Sequence, residues 1–289
     1  MQIKAKEYNR PFAEVLQYYG MERFLYRFSK SEYVDTFILK GALMFMLWQV
    51  PERRSTLDID FLAHFDNRIT SIEKVIQDVC KIDVKPDGIV FDAETVKGQR
   101  IIEGAAYEGV RVKVIGFLEQ SRIPMQIDIG FGDIIYPGSR MFHYPSILAL
   151  PEPYLKGYSL ESLISEKFES MIKLGLLNSR MKDFYDIWLI MHQFTIKGLN
   201  LTEAIKKTFK HRKTELPKRH PLFAEEFYDE KSDRQTLWKA FLRKSDSKNM
   251  PQKLSIIANE IEEFLIKPLE SITKGLKFKK EWKAPGPWK

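Results

Sequence analysis

Arg53-Arg54-Ser55-Thr56-Leu57-Asp58-Ile59-Asp60-Phe61-Leu62-Ala63 is the stretch that decides the fold. From Leu57 onward apolar and acidic residues alternate, the pattern of a strand with one face toward a core. Asp58 and Asp60 stand two apart, so a strand turns both carboxylates to the same side. Held that close, two carboxylates repel each other unless positive charge sits between them. A divalent cation supplies that charge, and hard oxygen donors suit Mg²⁺. Carboxylate-held Mg²⁺ is a standard device for moving phosphorylated groups.

A second acidic strand follows in Pro124-Met125-Gln126-Ile127-Asp128-Ile129-Gly130-Phe131-Gly132-Asp133. Asp128 lies between Ile127 and Ile129, on the face opposite to both. An unpaired charge in a buried strand is strongly unfavourable. Sharing a metal with Asp58 and Asp60 resolves that cost for all three.

The 289 residues suffice for one large or two modest domains, and 44% apolar residues allow a real core. Cys80 is the one cysteine, so no intramolecular disulfide forms, which fits a reducing cytoplasm. Met1 to Arg10 carry no apolar signal core. The longest apolar run, Gly41–Trp48, falls well short of the about 20 residues that span a membrane. A soluble cytoplasmic protein is expected. The net charge of +7 is unevenly placed: −2 over residues 1–190 (24 Lys/Arg against 26 Asp/Glu) and +9 over 191–289 (22 against 13). A basic module beside an acidic one points to a polyanionic partner, nucleic acid first.

The hydrophobic pattern predicts helices over 11–28 and 35–48, a strand over 57–63, and an amphipathic helix over 68–82. Strands are expected over 88–96, 109–118 and 124–131, the second alternating at period two. Residues 141–155 hold Pro145, Pro151 and Pro153 and read as extended or looped. Beyond Ser159, a residue suited to cap a helix, the pattern turns helical over 159–177, 182–194, 199–210, 220–244 and 251–272. The Lys-rich tail 274–289 reads as frayed. The fold class is α+β: a mixed module over 1–155, then a helical module over 156–289, joined near 151–158.

Smaller signals lie around these elements. Gly41 follows Lys40 inside a run predicted to be helical, where glycine costs about 1 kcal/mol against alanine. A triphosphate, or simply a neighbouring strand, approaching the backbone would explain it. Arg54 and Ser55 suit phosphate oxygens, or an exposed loop. Lys167 reaches phosphates as a point charge, or lies on a solvated helix face. Asp183 and Asp186 are three apart, hence on one side of a helix, with Arg180 and Lys182 close by. They favour a helix start or reach into a site. The five histidines, His64, His143, His192, His211 and His220, show no metal-ligand spacing, which argues against zinc. No dinucleotide fingerprint or Walker A sequence occurs.

In order, Lys40-Gly41-Ala42, Arg54–Phe61, Gln126–Gly130, Glu166-Lys167 and Arg180–Asp186 resemble the AbiEii/AbiGii toxin family of nucleotidyltransferases. That family lies within the DNA-polymerase-β-like nucleotidyltransferase superfamily, which includes the MenT toxins. The likeness spans residues 35–190. Asp-x-Asp alone is unspecific; the ordered set is much more specific. The family often has Gly-Gly or Gly-Ser where this chain has Gly41-Ala42, so no hydroxyl is available at Ala42.

The resemblance implies a nucleotidyltransferase-fold mixed β-sheet flanked by helices and followed by a helical domain. It implies transfer of a nucleoside monophosphate from an NTP to an acceptor hydroxyl, with pyrophosphate released. Several MenT members act on the 3′ end of tRNA. Asp58, Asp60 and Asp128 would hold Mg²⁺, as two ions, and Lys167 would neutralise the triphosphate. Lys40, Gly41, Arg54, Ser55 and Asp183 or Asp186 would line the nucleotide pocket. Residues 191–289 would hold an RNA acceptor through its phosphates. Family genes usually neighbour an antitoxin gene, in type IV toxin–antitoxin or phage-abortive arrangements, so an antitoxin is an implied partner. The same residues also suit transfer to a protein or small molecule, or a non-catalytic nucleotide-binding module.

Overall fold

The structure, a computed structural model, describes residues 1–50, 53–103, 107–217, 225–245 and 249–289. The chain divides into two compact units. One comprises Met1–Pro51, Ser55–Asp133 and Ser139–Tyr158; the other comprises Glu52–Arg54, Ile134–Gly138 and Ser159–Lys289.

In the first unit, α1 (Gln2–Glu7) and α2 (Phe12–Phe28) precede β1 (Phe37–Lys40), α3 (Met44–Leu47), β2 (Asp58–Ala63) and α4 (Ile69–Cys80). Then come β3 (Ile89–Glu103), β4 (Tyr107–Leu118), β5 (Ser121–Phe131), β6 (Arg140–His143) and β7 (Tyr154–Gly157). These strands make a mixed seven-stranded sheet in the order β3-β4-β5-β2-β1-β7-β6. β2 runs parallel to β5 and β1 parallel to β7; the other neighbours are antiparallel.

Alternation gives the sheet one apolar face. Ile59, Phe61, Ile127, Ile129, Val110 and Val112 are buried there, under α2 and α4. α4 meets them with Ile72, Val75, Ile76 and Val79, which helical spacing puts on one stripe. Phe28 of α2 stacks on Phe61 at 4.9 Å and meets Phe37 edge-on at 5.3 Å.

The helix expected over 35–48 does not form. That stretch is β1, a 3₁₀ turn over Gly41–Leu43, and the single-turn α3. β1 is buried at all four positions, and an apolar run buried on every side has no period to separate helix from strand. Gly41 takes φ +70°, a left-handed conformation that ends the strand and suits glycine. Residues 141–155, expected to be extended or looped, hold most of β6 and the start of β7.

The second unit is mainly helical: α5 (Leu160–Leu174), α6 (Met181–Gln193), α7 (Gly198–His211), α8 (Glu225–Tyr228), α9 (Asp233–Ser245) and α10 (Leu254–Thr273). Ser159 caps α5, its Oγ accepting from the Ser162 N–H at 3.2 Å. The helix expected over 220–244 is represented by α8 and α9; residues 218–224, His220 among them, lie outside the described residues. No helix among the described residues is long and apolar enough to cross a membrane.

The tail is anchored, contrary to the frayed reading. β9 (Glu281–Trp282) pairs with β8 (Ile196–Lys197). Phe278, Trp282 and Trp288 are buried, while Lys277 just before them and Lys279, Lys280 and Lys283 between them stay exposed. Trp288 stacks on Phe264 with ring centroids 5.5 Å apart, and Trp282 meets the same ring edge-on at 4.9 Å. Their indole N–H groups donate to the carbonyls of Phe264 at 2.8 Å and Met191 at 2.7 Å. Lysine content suggested solvent; the interspersed aromatics decided the packing. Trp282→Ala is expected to destabilise the protein by about 3–5 kcal/mol in denaturant unfolding. An unmoved midpoint would mean the tail does not pack.

Candidate active site

The sheet's other face carries the acidic residues. Across four neighbouring strands, Lys40 stands opposite Asp60, Asp60 opposite Asp128, and Asp128 opposite Arg111. Residues paired directly across strands project to the same side. One pleat away on that face, Asp58 stands opposite Gln126. Neighbouring strands lie about 4.8 Å apart, so the register gathers all three predicted carboxylates on one patch. The line reads plus, minus, minus, plus.

Each end of that line is fixed. Arg111 donates from Nε and a terminal nitrogen to the two oxygens of Asp128, at 2.8 and 2.7 Å. Hydrogen bonding to Asp128 raises the Arg111 pKa; burial opposes this, and the charges of Asp128, Asp58 and Asp60 add to it. At the other end Lys40 is buried, with Nζ 3.3 Å from Asp133. Gly41 abuts Asp60 so closely that a Cβ there would overlap the Asp60 carboxylate. This is the close-approach reading of Gly41, with a carboxylate as the neighbour. Approaching β2, the Thr56 N–H donates to the Tyr18 hydroxyl at 3.0 Å. Ser55 is half-buried between this contact and Arg54 along the chain.

Asp58 and Asp60 offer only hard oxygen donors on one side of one strand, and that donor set fits a divalent cation such as Mg²⁺. Asp128 stands beside them, but Arg111 engages both of its oxygens. Among the described residues no group of three His, Cys, Asp or Glu side chains is arranged to hold a metal ion. At Asp128, therefore, the positive charge that sequence reasoning assigned to a shared metal comes from a guanidinium.

The second unit holds its own ionic cluster. Asp183 and Asp186, one helical turn apart on α6, are both fully buried. Lys167 of α5 lies 3.0 Å from Asp183 and 2.6 Å from Asp186. Arg54 grips both oxygens of Asp186 at 2.9 Å, and Arg180 holds the remaining oxygen of Asp183 at 2.7 Å. Both acids fix Lys167. Burial opposes the charge on Asp183, but Lys167 and Arg180 outweigh it and bring its pKa to about 2. Asp186 is lowered likewise: burial works against it, and Arg54 and Lys167 prevail. Burial also opposes the charge on Lys167, yet Asp186 and Asp183 raise its pKa. Lys182 is exposed; the protein packed around its amine, then Lys167 and Arg180, lower its pKa.

Sequence reasoning missed Arg111 and Asp133 as partners. Arg111 had a signal: in the period-two run from Val110 it falls on the polar face. Only the strand pairing puts it beside Asp128. Asp133 follows Gly132 after the strand and carries no local pattern.

The model of the family described as nucleotidyl transferase AbiEii toxin, type IV toxin–antitoxin system, matches residues 23–265, and the chain belongs to that family. It is a nucleotidyltransferase. Its fold is similar to the crystal structure of a candidate nucleotidyltransferase from Helicobacter pylori. The TM-score is 0.51 at 12% identity, covering 91% of this chain and 98% of that one. JHP933 from Helicobacter pylori aligns with a TM-score of 0.45 at 11% identity, over 92% of this chain and 97% of that one. No curated protein sequence matches the chain.

Gly41→Ala is expected to lower both melting temperature and activity, because its φ of +70° and the Asp60 carboxylate each exclude a methyl. Wild-type behaviour of this variant would refute the packing account. The Asp183 pKa also sets an acid limit. A folded pKa depressed from 3.8 to about 2 contributes stability above pH 3.8 that is lost as pH falls toward 2, about 2 kcal/mol in all. Asp183→Asn should therefore be less stable at neutral pH and show a shallower loss across that window in acid unfolding followed by circular dichroism.

Proposed function

We propose that this AbiEii-family nucleotidyltransferase moves a nucleoside monophosphate from an NTP to the terminal hydroxyl at the 3′ end of an RNA, tRNA foremost, with Mg²⁺ as cofactor. The observation that carries this reading is the register: Asp60 and Asp128 on one line bracketed by Lys40 and Arg111, with Asp58 one pleat away on the same face.

Asp58 and Asp60 would hold the metal. When bound, Mg²⁺ supplies Lewis-acid charge against the triphosphate oxygens. Asp128, held in place by Arg111, orients the acceptor hydroxyl and takes its proton as that oxygen bonds the α-phosphorus. The bond from the α-phosphorus to the leaving pyrophosphate breaks in the same displacement. Lys40 and Arg111 keep the carboxylate patch from repelling the incoming polyanion. Lys167, with Arg54, Arg180 and Lys182, is the proposed counter-charge to the NTP phosphates. These four cations exceed Asp183 and Asp186 by two charges, and the two acids fix Lys167, Arg54 and Arg180 in position. Positioning and electrostatics supply most of the rate in phosphoryl-type transfers. On the family's footing, an antitoxin protein is the proposed partner and the cytoplasm the proposed compartment.

Label from each NTP in turn should enter total tRNA with wild-type protein and Mg²⁺, and EDTA should stop it. Asp58→Ala is expected to reduce incorporation by about 10³-fold or more, at an unchanged melting temperature. Full activity in that variant ends the metal-ligand proposal. Label appearing in protein or a small molecule, and not in RNA, replaces the acceptor.

A further inference from the structure

The sheet face that carries the carboxylates continues beyond them without a break. Arg111 of β4 stands opposite Gln99 of β3, and one pleat along the row runs Asp58, Gln126, Lys113, Lys97. Beyond the carboxylates these two rows hold Arg111, Lys113, Lys97 and two amides, Gln99 and Gln126, and no acid. Lys113, Lys97 and Gln99 are exposed. Lys97 and Lys113 are direct cross-strand partners, and like charges placed directly opposite destabilise a sheet. Among the described residues neither ammonium has a carboxylate within ion-pairing distance to relieve the repulsion. The fold therefore keeps two mutually repelling cations side by side, next to the acidic patch, where an opposite charge laid across them would relieve the strain.

We infer that this β4–β3 surface is the track for the acceptor RNA strand. Lys113 and Lys97 bind backbone phosphates just upstream of the terminal hydroxyl, and Gln99 offers hydrogen bonds to sugar or base. β4 and β3 lie two and three strand spacings from β2, about 10 and about 14 Å, so the phosphates sit beside the carboxylates without entering them. This rests on the RNA-transferase reading and deepens it, moving the acceptor contact from the basic residues 191–289 to the sheet face. Exposed lysines that merely solvate a ribbon are the competing account. That account gives no reason for setting them opposite each other.

The test reads binding rather than transfer, so its outcome is independent of that of Asp58→Ala. Anisotropy of 5′-fluorescein oligo(U) is titrated with the full chain carrying Lys97→Glu and Lys113→Glu, which preserves a like-charge pair. Its Kd should rise at least tenfold. Its log–log salt dependence should flatten by about 1.4, two single-strand phosphate contacts. Lys97→Glu alone puts an opposite charge across from Lys113, so it should raise the melting temperature while weakening RNA binding. An unchanged Kd and salt slope overturns the inference, as does a wild-type protein that does not bind the RNA. A lowered melting temperature in the single variant assigns the lysines to the fold and overturns it equally.

Discussion

The parallel pairing of β2 with β5 is the constraint on which the rest of the first unit depends. Side chains in a strand alternate with period two, so slipping this pairing by one residue would turn every one of them over. Asp58, Asp60 and Asp128 would enter the core, and Ile59, Phe61, Ile127 and Ile129 would leave it. The hydrophobic effect thus selects the register. At about 25 cal/mol per Å² of apolar surface, burying those four large side chains far outweighs any preference among the polar ones. The chemistry on the polar face is positioned by what happens on the apolar face. Phe28 on Phe61 and the α4 stripe are therefore as much part of the site as the acids are.

The second unit solves a different problem. Its charges are buried, and buried ion pairs are stable only when every partner is present. All four oxygens of Asp183 and Asp186 have a cationic partner, drawn from α5, from the residue that precedes α6, and from Arg54. Removing Lys167 would leave two acids short of charge. Removing either acid would leave cations crowded together; burial first, then Lys167 and Arg180, already lower the Lys182 pKa. The cluster holds α5 to α6 through ionic contacts where apolar packing alone would serve a purely structural junction equally well.

Much of this was legible in the chain. The Asp58–Ala63 alternation located β2 and the shared face of its acids, and Asp128 between two isoleucines located β5. What was not legible was pairing. Neither Arg111 beside Asp128 nor Lys97 beside Lys113 can be read without knowing which strands are neighbours and in what register. The 35–48 run failed for another reason: most of its apolar residues are buried, β1 at every position, so hydrophobicity carried no periodicity, and the glycine at 41 was the clue to a break. The tail failed because composition was weighed over spacing. Phe278, Trp282 and Trp288 recur among lysines at intervals that let each aromatic turn inward while the cations turn out.

Arg111 has one more consequence. In many metalloproteins the ion is the glue: ligands repel one another until it arrives, and chelators unfold the chain. Here a guanidinium already neutralises one carboxylate of the patch, and a lysine stands at its other end. With Mg²⁺ in the role proposed for it, assembly and loading are uncoupled: scarcity of the ion would silence the protein reversibly without unfolding it.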